Sequence, residues 1–192
     1  MELFITGLVL FLGCHSMRVF AEDWRNRKLE QWGEKIFKGI YSIASLVGFV
    51  LLVYGFSKIR WDSPQLWSPP VAMRHIAALL MLFAMVLLVA GQVPHNAIKA
   101  KRGHPMILAV KVWALAHLLA NGSLAGVLLF GSFLIWSVIL FASSRRRDRR
   151  LAVVYAPGTA GRTAIVLVAG SLAWAVFAFW LHGLLIGIRP IG

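Results

Sequence analysis

Apolar residues run through this chain in six long blocks, roughly 3–20, 36–56, 73–93, 105–121, 123–141 and 163–186. Each is close to the ~20 residues that cross a bilayer as a helix, and none shows the strict alternation of a half-buried strand. Polar punctuation separates them. Trp61-Asp62-Ser63-Pro64, with Trp67 and Pro69-Pro70 beyond, has the look of an interfacial loop. Pro105 suits the first turn of a helix, where its missing N–H has no partner to lose. Asn121-Gly122-Ser123 is so short a connection that blocks four and five are expected to form an antiparallel hairpin. The pattern predicts an all-α fold, a polytopic membrane helical bundle of about six transmembrane helices, with 1–192 as a single domain. Gly122 with Gly126, and Ala169 with Ala173, are small-residue pairs expected where helices approach closely.

Composition strengthens that picture. Hydrophobic residues make up 59% of the chain, and the mean hydropathy is +0.76. The formal charge of +13 would point to nucleic acid on a soluble fold, but here the bases lie between apolar blocks. Arg18, Arg25, Arg27, Lys28, Lys99, Lys101, Arg102 and the run Arg145 to Arg150 flank blocks one, three and five, whereas the other side holds only Lys58, Arg60, Arg74 and Arg189. That asymmetry puts the odd connections in the cytoplasm and both termini outside. Lys111 can snorkel to the cytoplasmic surface. The arginine run is expected to rest against anionic lipid, with no nucleic-acid partner. Glu2 stands where a cleaved leader would carry a base, so block one is expected to be retained.

Candidate chemistry narrows quickly. A single cysteine, Cys14, excludes an internal disulfide and a multi-cysteine metal site. All acidic residues fall outside the apolar blocks, which disfavours a buried carboxylate relay. Histidine remains. His75 and His182 belong to the outer ends of blocks three and six, His95 and His104 to cytoplasmic ends. His15 and His117 lie about 18 Å from the starts of their blocks at 1.5 Å per residue, near mid-membrane. Each could hydrogen-bond a carbonyl or hydroxyl on a neighbouring helix. Alternatively, neutral imidazole is a good axial ligand for haem iron in an aromatic-lined groove. Trp113, one turn before His117, and Asn121, one turn after, are the residues expected to wall the cofactor, orient the ring or close the turn.

Cys14-His15-Ser16, His104-Pro105-Met106, the block Trp113-Ala114-Leu115-Ala116-His117-Leu118-Leu119-Ala120-Asn121-Gly122 and Asp148-Arg149-Arg150 together resemble the NnrU family over nearly the whole chain. Those proteins are small multi-pass proteins of the bacterial inner membrane associated with denitrification, in particular with nitrite and nitric oxide reductase activity. The resemblance thus implies nitrogen-oxide respiratory proteins as partners. The 15-cis-zeta-carotene isomerases are similar to this family, and that likeness implies a b-type haem (haem b) between His15 and His117. The isomerases have a cysteine three residues before the second histidine, where this chain has Ala114. The likeness as a whole implies the first alternative, a haem-dependent cis-trans isomerase of a polyene or isoprenoid substrate. The second comes from a fainter likeness to isoprenylcysteine-type membrane methyltransferases, which also open a helical hairpin with His-Pro and turn it at asparagine. They carry paired glutamates afterwards, where this chain has arginines and Asp148.

Overall fold

A computed structural model describes residues 1–191, and among them the regular structure is helical. In chain order the α-helices are α1 (Glu2–Phe20), α2 (Glu22–Trp32), α3 (Glu34–Ile59), α4 (Val71–Gln92), α5 (Ala97–Arg102), α6 (Pro105–Ala120), α7 (Leu124–Arg150), α8 (Ala160–Val176) and α9 (His182–Ile186). A π-helical turn, Phe177–Leu181, joins the last two. Five stretches are long and apolar enough to cross a membrane: Glu2–Phe20, Glu34–Ile59, Val71–Gln92, Leu124–Arg150 and Ala160–Ile186. The sixth apolar block is the shorter α6, about 24 Å long at the helix rise.

Two boundaries differ from the hydropathy pattern. The charged connection after the first span is helical: α2 contains no proline or glycine, and residues such as Arg, Lys, Leu, Glu and Gln favour the helix. Span five continues past residue 141 to Arg150, because Ser143-Ser144 and the arginines do not break a helix. Asp148 therefore stands on a helix, beyond its apolar part, and not in a loop.

The chain forms two compact units. The first comprises Met1–Gln65 and Ser123–Leu129. Here α1 lies against α3 with backbone close to backbone. A methyl group on Gly7 would strike the Leu51–Leu52 peptide, one on Gly48 would lie 2.8 Å from the Phe11 nitrogen, and one on Gly55 2.5 Å from the Phe4 nitrogen. Lipid tails give no hydrophobic drive for helix pairing, so such close contact supplies the dispersion energy instead. Phe4, fully buried, sets its ring 5.8 Å from Phe56. The start of α7 is capped from the loop after α3: Leu124 N–H donates to the Pro64 carbonyl and Ala125 N–H to Ser63 Oγ, both at 2.8 Å.

The second unit holds Leu66–Gly122 and the chain from Phe130 onward. In it α4 packs against both α6 and α8. Gly170 on α8 lets the Val86 backbone approach, and Trp174 Nε1 donates to the Ala78 carbonyl at 3.0 Å. Asn96 is fully buried and fully used. Its Nδ2 donates to the carbonyls of Ala90 (2.9 Å) and Val93 (2.6 Å), and its Oδ1 accepts from Lys99 N–H (2.9 Å), capping α5. Thr163 Oγ1 accepts from Ala97 N–H at 3.0 Å, tying α8 to α5. Gly91 on α4 likewise lets α6 approach, a methyl there lying 3.1 Å from the Met106 Cβ.

Candidate functional site

His15 and His117 occupy different units but are held in the same way. In each, Nδ1 lies 2.8 Å from the carbonyl oxygen four residues back, Phe11 for His15 and Trp113 for His117. A carbonyl only accepts, so Nδ1 carries the hydrogen, and in the neutral ring the lone pair is on Nε2. A helix provides this anchor because residue i−4 stacks one turn below residue i. The result is the tautomer and the second-sphere bond that metal-ligating histidines use.

The rings have aromatic walls. His15 lies 4.3 Å from Phe11 and edge-on to Tyr41 of α3 at 5.5 Å. Phe130 stacks on His117 at 4.7 Å with an interplanar angle of 27°, and Trp113 is 5.2 Å from both. Phe133 continues the cluster 5.4 Å from Trp113, and Trp136 lies 6.2 Å beyond it. Of the residues singled out by sequence, Trp113 and His117 are therefore together. Asn121 is the extended residue that ends α6 (φ −138°, ψ 113°) and makes the turn. Phe130 and Phe133 were readable from the hairpin itself: in an antiparallel pair the numbers of facing residues sum to a constant, here roughly 245. His182 follows the π-helical turn and donates from Nδ1 to the Ile188 carbonyl at 2.7 Å.

Among the described residues no three His, Cys, Asp or Glu side chains gather into a metal-binding group. A site built wholly from protein ligands needs three or four of them. Haem needs fewer, since the macrocycle supplies four bonds and the protein adds one or two axial ones. Each anchored imidazole, taken within its own unit with its aromatic neighbours, is chemically suited to such a bond.

A second polar cluster, at the basic end of the second unit, has no counterpart in the sequence pattern. His104 Nε2 lies 2.9 Å from Asp148 Oδ2, Tyr155 donates its hydroxyl to the same oxygen at 2.8 Å, and Arg145 approaches it at 3.5 Å. The Tyr155 oxygen is also 3.2 Å from His104 Nε2. Gly103, at φ +76°, makes room for this: a methyl there would meet the Tyr155 ring at 2.9 Å. Burial, reinforced by the hydrogen bond to Asp148 and its charge, pushes the Tyr155 phenol up to about 12. Such a phenol is a hydrogen-bond donor and no base. The cluster fastens the α7–α8 connection to the start of α6.

A family model described as NnrU protein matches residues 3–190. The chain belongs to the NnrU family. No curated protein and no solved structure gave a match to it. Within this NnrU protein, Ala114, where the resembling isomerases have cysteine, is fully buried and offers only a methyl group. That position offers no metal-ligating atom.

Proposed function

We propose that this NnrU protein binds haem b and supports nitrogen-oxide respiration, with His15 and His117 each serving as an axial ligand. The observation that carries the reading is the anchored imidazole in an aromatic setting: His117 gives Nδ1–H to the Trp113 carbonyl with Phe130 and Trp113 against its ring, leaving the lone pair on Nε2, and His15 is anchored in the same way. Phe130 and Trp113 against His117, and Phe11 and Tyr41 against His15, offer apolar faces of the kind a porphyrin packs on. When bound, the haem would supply one-electron chemistry; the chain would orient the ligands and exclude water.

The denitrification role, with nitrite and nitric oxide reductase systems as partners, follows from the family resemblance. The family resemblance implies a bacterial inner-membrane location, and the distribution of Lys and Arg supports both termini being periplasmic. The methyltransferase alternative draws no support from the geometry, because Asp148 is committed to Tyr155, His104 and Arg145. The isomerase alternative shares the haem and differs in needing an open or displaceable axial position; Ala114 offers no side chain for a ligand switch.

The test is the absorption spectrum of detergent-purified protein from haem-replete cells, beside His15→Ala and His117→Ala. A Soret band in the wild type that falls in both variants is the expected result. Undiminished haem in either variant removes that histidine from the ligand set, and no Soret band at all in the wild type ends the proposal.

A further inference from the structure

Counting Lys and Arg alone treats the stretch between the first two spans as a plain loop, yet it is the helix α2, joined to α1 through Ala21 and to α3 through Gly33. Gly33 takes φ +79°, a left-handed conformation that suits glycine and turns the chain into α3. Both neighbours are long and apolar enough to span, so a helix one residue away from each is tied to the hydrocarbon boundary.

The composition of α2 is polar, but Trp24 and Trp32 are 42% and 37% exposed. At 100° per residue, Trp24, Lys28 and Trp32 form one i, i+4, i+8 row, with the Lys28 ammonium 5.0 Å over the Trp32 ring. The three carboxylates of the helix, Glu22, Asp23 and Glu30, centre on the opposite side. Arg25 leans its guanidinium on Phe37 of α3 at 5.7 Å, which fixes the helix about its axis.

We propose that α2 is an interfacial helix whose Trp24–Lys28–Trp32 edge beds into the headgroup layer of an anionic phospholipid leaflet. Indole is the side chain that prefers this layer, with an apolar body and one N–H for the polar zone. The charge segregation selects the lipid. An anionic headgroup is drawn to Lys28 and kept away from the carboxylates on the far side, whereas a zwitterionic surface would gain little from that sorting.

The test uses the full chain with Cys14→Ser and one new cysteine carrying an environment-sensitive nitrobenzoxadiazole probe, reconstituted in nanodiscs of phosphatidylcholine with or without phosphatidylglycerol. With Trp24→Cys the probe replaces the indole; Gln31→Cys is a second position beside that edge, and Glu30→Cys reports the carboxylate side. Expected are a blue shift and several-fold weaker quenching by a neutral aqueous quencher at 24 and 31 relative to 30, deepened by phosphatidylglycerol and reduced by Lys28→Glu. Equal quenching at all three positions overturns the proposal. So does shielding that is the same in both lipids, or shielding that appears only with two copies per disc.

Discussion

Asp148→Asn is the most informative single change at the basic end. The substitution keeps an oxygen that can accept from Tyr155 but removes the charge that three groups share. In the wild type the Tyr155 phenol is pushed from an ordinary 10.0 up to about 12, first by burial and then by Asp148. Two pH units correspond to about 2.7 kcal/mol at 1.36 kcal/mol per unit; water reaches Tyr155, which reduces its share of stability to about 1–2 kcal/mol. The sign is fixed by the direction. A raised phenol favours the neutral folded form, so this stabilisation is complete below pH ~10 and is lost as pH rises through about 12. The assay is phenolate absorbance near 295 nm after a rapid pH jump, with Tyr155→Phe subtracted to remove Tyr41 and Tyr54. The wild-type difference signal is expected to titrate near 12, and in Asp148→Asn to move down while staying above the ordinary value, since burial persists. Titration of Tyr155 at the same pH in both proteins, or near 10 already in the wild type, would refute the coupling.

The packing makes two further demands. Gly7→Ala sets a methyl against the Leu51–Leu52 backbone, which has no rotamer to give way, so α1 must move off α3 at a cost of about 1–3 kcal/mol, read as a lower thermal midpoint in detergent. Asn96→Ala removes the cap of α5 and leaves the Ala90 and Val93 carbonyls without their buried donor, expected to cost about 2–4 kcal/mol and to expose the α4–α5 connection to protease.

How far sequence reached follows from which forces act locally. The spans were legible because hydrocarbon accepts only long apolar helices, and α3, α4, α6 and α8 begin or end within a few residues of the hydropathy edges. The helix α2 was hidden because three acids and three bases make that stretch read as a polar connection, and hydropathy is blind to a row of two indoles and a lysine. The end of α7 was hidden because charge says nothing about where backbone hydrogen bonding stops. The cluster of His104, Asp148 and Tyr155 depends on parts of the chain 44 and 51 residues apart meeting at one carboxylate, a tertiary fact with no periodic trace.

For the two span histidines the division is finer. A bond from Nδ1 to the i−4 carbonyl is a purely local consequence of placing histidine on a helix, and it serves a core histidine as well as an axial ligand. The two roles part at the other nitrogen. A core histidine spends Nε2 on a protein donor, whereas an axial ligand reserves it for iron, and in an apolar span an imidazole left with neither carries the cost of a bare polar atom. Replacing His117 by alanine removes its ring contacts with Phe130 and Trp113 in any preparation, and should lower the thermal midpoint of a haem-bound protein further, because the protein then also loses a ligand that binds only the folded state. Measuring that midpoint in haem-replete and haem-starved preparations separates the roles by whether the drop is larger with haem. A midpoint that His117→Ala shifts equally in both preparations would assign the ring to packing alone.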